Sequence, residues 1–279
     1  MNKTSRIAKW TASATKQLID AGIASARLDA ELILSHTIRK NRTYLHAHPD
    51  EELSWRHHEI ADARLLLRLD RTPLAYIIGH KEFYGRRFQV TPATLVPRPE
   101  SETMIALLKD ALSQQRLPLS SEKTRLVDVG TGSGSLGITA KLEFPELDVT
   151  LLDTSRHALT VAEENAKRLG AEVTILRSNL LLDYPFKADF ILANLPYVGE
   201  DWEVSPETRH EPSEALYAAD DGLALIKRLI DESRSRLNPA GQLFIEADPR
   251  QHSAVTAYAA QNGFSTKVSE GFIIWLSLI

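Results

Sequence analysis

The chain has 279 residues, is 43% hydrophobic and 25% charged, and contains no cysteine. This composition describes an ordinary globular protein that buries a core as one large or two smaller domains. The absence of cysteine excludes disulfides, thiolate metal sites and a cysteine nucleophile. The net charge of -4 hides an asymmetry: through residue 90 there are 15 Lys and Arg against 10 Asp and Glu, and beyond it 18 against 27. Two readings of this basic lobe stand level. It faces an anionic partner such as RNA or a ribonucleoprotein, or it is a solvated helical surface with a chance bias. No apolar run approaches the roughly 20 residues a membrane span needs. The start, MNKTSRIAKW, has no apolar stretch behind its basic residues, so it does not read as a signal peptide. A cytoplasmic location is expected.

The first 70 residues carry helical patterns. Ile7, Trp10, Ala14 and Leu18 recur at helical steps, and Gly22 ends that helix. A second helix is expected from about Leu28 to Ile38, with Leu28, Leu32, Leu34 and Ile38 on its buried arc and Ile33 outside it. Asp50, Glu51 and Glu52 form an acidic start that suits the dipole of a short helix, and Glu59 to Leu69 forms a further one. Trp10 and Trp55 are expected in the core or at a partner contact of this lobe. His57-His58 reads as a solvated helix face, because no further ligand set is spaced with it. Residues 71–98 change character. Thr72-Pro73, Tyr84-Gly85 and Thr91-Pro92 punctuate the stretch, and Arg87–Val90 alternates, so a β-hairpin or extended linker is expected. From Glu100 onward, short apolar runs alternate with helical patterns, at Leu126–Val129, Val149–Leu152, Val173–Leu176, Phe190–Ala193 and Gln242–Glu246. That alternation predicts an α/β domain with a largely parallel sheet.

The first of these strands runs into Asp128-Val129-Gly130-Thr131-Gly132-Ser133-Gly134 and then a helix-compatible stretch. Alternating glycines allow a tight turn and close approach of a ligand to the backbone. The helix that follows offers unpaired N–H groups. The spacing is not that of a phosphate loop, and no lysine follows. Asp153 ends the second strand 23 residues past Gly130, where an acid can take both hydroxyls of a ribose. Asp128 disfavours a pyrophosphate and suits the ammonium of a methionine moiety. Together these residues favour S-adenosylmethionine over NAD, with Asp128, Gly130, Thr131, Gly132, Gly134 and Asp153 as its candidate ligands; a structural turn or a site for another nucleotide is the alternative. Asn179, after the third strand, either bonds the adenine edge or makes a plain turn.

Asn194-Leu195-Pro196-Tyr197 follows the fourth strand, at the strand ends where open α/β sheets bind ligands. An amide or aromatic amine nitrogen is a poor nucleophile because its lone pair is delocalised. Two acceptors, the Asn194 side-chain oxygen and the Leu195 carbonyl, can hold its N–H groups and aim it at a sulfonium methyl. Pro196 biases Leu195 toward an extended backbone, and Tyr197 can stack on a planar acceptor. Asn194 therefore counts on both the catalytic and the cofactor side. No metal is required.

With these motifs in place, the chain resembles the release-factor glutamine methyltransferases (the PrmC/HemK family) over nearly its whole length. The likeness rests on Arg27–Leu32, Pro73–Gly79, Glu82–Gly85, Val96-Pro97-Arg98-Pro99-Glu100-Ser101-Glu102, Glu211-Pro212 and Asp221-Gly222-Leu223. It departs at Leu195, where the family has proline, at Ser101, where it has threonine, and at the C-terminus. There Glu270–Trp275 lacks the family's D-L-x-G-R-x-R pattern. The resemblance implies a seven-stranded Rossmann-like methyltransferase domain over 99–279, a helical substrate-recognition domain over 1–72 and a hairpin linker over 73–98. It also implies methylation of the side-chain amide of the glutamine in the Gly-Gly-Gln loop of a peptide chain release factor. Arg98 and Glu100 then line the acceptor pocket or bridge domains, and Glu246 is read as structural first and as an acceptor-side group second. A monomer is expected. The competing expectations are a ribosomal-protein glutamine methyltransferase, an RNA or DNA amino-group methyltransferase, and a cofactor-binding module without catalysis.

Overall fold

The computed structural model describes residues 5–114 and 123–279, and these fold as two compact units. One takes the chain up to His80 together with Ser205–His210; the other takes Lys81–Val204 and Glu211–Ile279. Residues 1–4 of the stretch read as lacking a signal peptide lie outside the described residues. Among the described residues no helix is long and apolar enough to cross a membrane.

The first unit begins with β1 (Ser5–Arg6) and α1 (Ile7–Asp20), which buries Ile7, Trp10, Ala14 and Leu18, the face its spacing predicts. In α2 (Ala26–Ile38) the buried arc differs from the expected one. Leu28 is 42% exposed, whereas Ile33 is fully buried. Small and paired residues make up the rest of that face: Ala26 and Ala30, and the acids Asp29 and Glu31. Asp29 accepts from Arg68 Nε at 2.7 Å, and Glu31 accepts from Arg42 and Arg27. The acidic run at Asp50 starts no helix. The short helix is α3 (Arg42–Ala47), capped by Asn41, and Glu52–Leu53 forms β2, which pairs with β1. The carbonyls of Pro49 and Glu51 instead accept from the first N–H groups of α1. α4 (Trp55–Leu69) follows; Trp10 is buried against it through an indole bond to Asp62, and Trp55 is half exposed. Part of the expected linker is helical: α5 (Leu74–Ile78) buries Ala75 and Ile77, and Ile77 joins the helical core. That packing carries the first unit on to His80.

The second unit opens one residue into β3 (His80–Phe83), which forms a hairpin with β4 (Arg86–Gln89), turned by Tyr84-Gly85 as expected. After α6 (Glu102–Gln114) come β5 (Arg125–Val129), α7 (Ser135–Glu143), β6 (Asp148–Asp153), α8 (Arg156–Leu169), β7 (Thr174–Arg177) and β8 (Ala188–Ala193). Then follow α9 (Ala224–Arg236), β9 (Leu237–Glu246), α10 (His252–Gln261), β10 (Phe264–Glu270) and β11 (Ile273–Leu278). The seven sheet strands lie in the order β10-β11-β9-β8-β5-β6-β7, and β11 is antiparallel to both of its neighbours. Successive residues feed opposite cores: Leu126, Phe190 and Leu192 pack with α6 and α7, and Val127, Ile191 and Ala193 with α9 and α10. Burial on both faces is why these strands read as continuous apolar runs. The last hairpin forms despite its atypical sequence, with Trp275 stacked on Phe244 of β9. The order of strands reverses between β5 and β8, which makes that crevice the place for a ligand.

Candidate active site

The cavity at this crevice has a volume of about 250 Å³. It is lined by the turn after β5 (Gly130, Thr131, Gly132), by Asp153 after β6, by Asn179 after β7 and by Asn194, Leu195 and Pro196 after β8. Asp128 and Ser101 also reach it.

The turn is shaped from below. Gly130, Gly132 and Gly134 all have positive φ, at 71°, 55° and 81°, a region that glycine enters without penalty. Gly130 and Thr131 both donate to the Leu152 carbonyl at the end of β6, and Gly132 N donates to Asp153 Oδ2 at 3.0 Å. Asp153 Oδ1 accepts from Ser155 N at 2.9 Å, so the carboxylate is fixed at the cavity wall and still has lone pairs to offer. Burial pushes its pKa up against those bonds. Asp128 is 1% exposed, and its Oδ2 takes Thr131 Oγ1 at 2.6 Å and Gly137 N at 2.8 Å. Burial raises its pKa to about 6. The helix can come this close because residue 137 is glycine: a Cβ there would lie 2.9 Å from the Asp128 Cβ. Asn165, which the sequence reading passed over, is fully buried on α8. It exchanges two bonds with the backbone of Gln89 in β4 and donates to the Ser133 carbonyl. It therefore ties the hairpin to the glycine turn. Asn179 is exposed, and its Oδ1 accepts from Arg228 at 2.7 Å.

At the end of β8, Asn194 Nδ2 donates to Ser101 Oγ at 3.0 Å, and Ser101 donates to Glu246 Oε2. Tyr197 OH donates to the other oxygen of the same carboxylate at 3.2 Å. Glu246 is 1% exposed at the end of β9. Burial raises its pKa to about 7, against the bonds from Ser101 and Tyr197. Burial and the nearby Glu246 likewise push the Tyr197 phenol far above its usual value. The Tyr197 carbonyl accepts from Gln251 Nε2 at 2.8 Å, and the same nitrogen holds the Asp221 carbonyl at 2.9 Å. Leu195 is buried in the sheet core. Arg98 pairs with the buried Glu211 at 2.6 Å, and Glu100 is exposed. Arg98, Glu100 and Tyr197 are not among the residues that line the cavity, although Pro97 and Ser101 on the same segment are. The structure thus joins Asn194 to Ser101 and Glu246, 145 residues apart in the chain for the latter pair. The sequence hints at this only through an acid at a strand end. Among the described residues no three His, Asp or Glu side chains form a metal-binding group.

A doubly wound seven-stranded sheet, with a glycine turn and an Asn-x-Pro-Tyr motif side by side at its switch point, defines a Rossmann-like methyltransferase. A T. thermophilus 16S rRNA methyltransferase, solved in complex with AdoMet and guanosine, shares this fold at a TM-score of 0.52 and 16% identity, over 72% of this chain and 50% of that one. The family model "PrmC N-terminal domain" matches residues 9–79, and "Methyltransferase small domain" matches residues 106–211. The release factor glutamine methyltransferase of Deinococcus radiodurans is 35% identical over 91% of this chain and 90% of its own. That of Koribacter versatilis is 38% identical over 85% and 86%. The chain belongs to the release factor glutamine methyltransferase family.

Proposed function

We propose that the protein transfers the methyl group of S-adenosylmethionine to the side-chain amide nitrogen of the glutamine in the Gly-Gly-Gln loop of a peptide chain release factor. The observation that carries this reading is the placement of Asn194 beside the glycine turn, within one cavity. The cavity residues fit the cofactor. Asp153 offers free lone pairs at the end of β6, suited to a ribose, and a Cβ at Gly132 would meet nothing within 4 Å, so the face of the turn is open to a ligand. Asp128 supplies buried negative charge below them for an ammonium. The bound cofactor supplies an electrophilic methyl on a sulfonium, which is a good leaving group.

The chain's own residues do the rest. The Asn194 side-chain oxygen and the Leu195 carbonyl accept the two amide N–H groups, orient the nitrogen and draw electron density onto it. Pro196 holds Leu195 extended. The Gln251 clamp on Tyr197 keeps the segment from swinging. With S-adenosylmethionine held by Asp128, Asp153 and the glycine turn, the group would supply the methyl, and the amide nitrogen held by Asn194 and Leu195 would take it and give up its proton to solvent. The gain comes from positioning and fixed dipoles rather than from a covalent intermediate. The basic excess through residue 90 supports a second contact with an anionic surface such as RNA.

The test is incubation with labelled S-adenosylmethionine, a release factor and its Gln→Ala loop variant. Label on the wild-type factor alone is expected. Label on the variant, or on RNA only, overturns the reading.

A further inference from the structure

The chain from Glu246 through Ser101 to Asn194 has a direction, and that direction decides which end of the Asn194 amide faces the substrate. An ionised carboxylate has no hydrogen to give. Glu246 therefore takes the single hydroxyl hydrogen of Ser101. The Ser101 oxygen must then accept, and its partner is Asn194 Nδ2 at 3.0 Å. With the NH₂ end held there, Oδ1 is the end left to accept a substrate N–H. Tyr197 OH closes the other side of the carboxylate at 3.2 Å. If Glu246 carries a proton, the chain can reverse. The carboxyl donates to Ser101, Ser101 donates to Asn194, and the amide turns its NH₂ end toward the cavity, where it repels the N–H it should hold.

We propose that Ser101 and Glu246 are positioning residues that set the orientation of the Asn194 amide, with ionised Glu246 as the productive state. The proposal rests on the methyl-transfer reading above for its consequence in catalysis, but not for the hydrogen-bond direction itself. The charged and titratable groups that face Glu246 are Arg98 and Glu100 on the segment before α6, and Tyr197 after β8. Arg98 favours the ionised form and Glu100 opposes it. Burial dominates and brings the titration to about 7, so both states are populated near neutral pH.

Two measurements test it. The first is NMR of the side-chain NH₂ of Asn194, assigned by its loss in Asn194→Ala. In the wild-type protein its resonances are expected to shift in a single titration. In Glu246→Gln, which cannot ionise, they stay fixed across the same range. Resonances that do not move in the wild type, or move equally in Glu246→Gln, overturn the proposal and point to Glu100 or to no coupling. The second is steady-state transfer to the release factor. Ser101→Ala is expected to lower kcat about 10–100-fold, as misplacement of a positioning group does, with the cofactor Kd from calorimetry unchanged. Ser101→Thr keeps the hydroxyl and restores kcat. The wild-type kcat falls as pH drops below about 7, and Glu246→Gln loses that limb. Full kcat in Ser101→Ala overturns the proposal. A wild-type protein whose Asn194 resonances titrate but which labels no release factor would instead sink the proposed function and leave the relay standing.

Discussion

Gly222 sits where the loop before α9 presses against the acceptor motif, and Gly222→Ala should separate chemistry from cofactor binding. Its φ is 83°, a region that costs a residue with a Cβ about 1–2 kcal/mol. A Cβ there would also lie 2.6 Å from the Tyr197 carbonyl carbon and 2.6 Å from Gln251 Nε2, and closer still to the Tyr197 oxygen. Ordinary contact begins near 3.4 Å, so backbone must yield by about 1 Å. The side that yields is the Tyr197 segment or the Gln251 clamp, because Gln251 bonds both Tyr197 O and Asp221 O. Either displacement moves the acceptor motif relative to the glycine turn. A shift of about 1 Å costs on the order of a hundredfold in rate. Loss of one or two clamp bonds adds about 1–2 kcal/mol to the destabilisation. Single-turnover transfer of labelled methyl to the release factor, alongside calorimetry of S-adenosylmethionine binding and thermal unfolding, checks this. The expected pattern is a folded protein with lowered Tm, near-normal cofactor affinity and strongly reduced turnover. Turnover within twofold of wild type in a folded variant would refute the positional argument, as would a cofactor affinity that falls in step with rate.

Asn194→Ala should abolish transfer while the cofactor, still held by Asp153 and the glycine turn, loses little affinity; an affinity in equilibrium dialysis that falls in step with the rate would mean that the site is misassigned. Asp128 is held protonated more tightly in the folded protein than in the unfolded chain, its pKa rising from 3.8 to about 6. Its contribution is therefore full below about pH 4 and is lost as the pH rises to about 6. Asp128→Asn keeps an acceptor for Thr131 and Gly137, so in urea titrations it should gain up to about 3 kcal/mol relative to wild type across that window. A pH-independent difference would contradict this. In the helical unit, Arg68 is 6% exposed between Asp29 at 2.7 Å and Glu207 at 3.0 Å. Arg68→Met strands the buried Asp29 carboxylate and should destabilise by about 3–5 kcal/mol, read as a fall in the denaturation midpoint.

What the sequence made visible follows from which residues do the burying. The α1 face was legible because four apolar side chains at helical spacing are the ones buried. The α2 face was not, because alanines and ion-paired acids occupy it while Leu28 points outward. An acidic triplet at 50–52 looks like a helix start, yet its neighbourhood serves α1 through backbone carbonyls, which carry no residue signature. The inner parallel strands β5, β6 and β8 were legible because both their faces are buried. β10 was not, since it lies at the sheet edge with most of its residues partly or fully exposed. The glycine turn and the Asn-x-Pro-Tyr segment announce themselves locally. Glu246 does not: it matters only because Ser101 and Tyr197, far away in the chain, converge on its two oxygens.

That convergence depends on register. Val129 of β5 pairs with Ala193 of β8, so Gly130 and Asn194 leave adjacent strands at the same level, about 4.8 Å apart across the sheet. The glycine turn and the Asn-x-Pro-Tyr segment are thereby set side by side by the ladder itself, before any side chain acts. Leu195 adds a second constraint. It is 4% exposed, and its Cδ2 occupies the space 2.9 Å from where a Gly130 Cβ would stand. A proline, which the family resemblance leads one to expect here, would stiffen the motif through its own φ. Leucine instead anchors it by packing onto the very glycine that shapes the cofactor turn. Transfer in line requires that donor and acceptor be held at a fixed separation. In this chain the spacing of the two segments is set by one strand register and one apolar contact, and the residue that departs from the family pattern is the one that makes that contact.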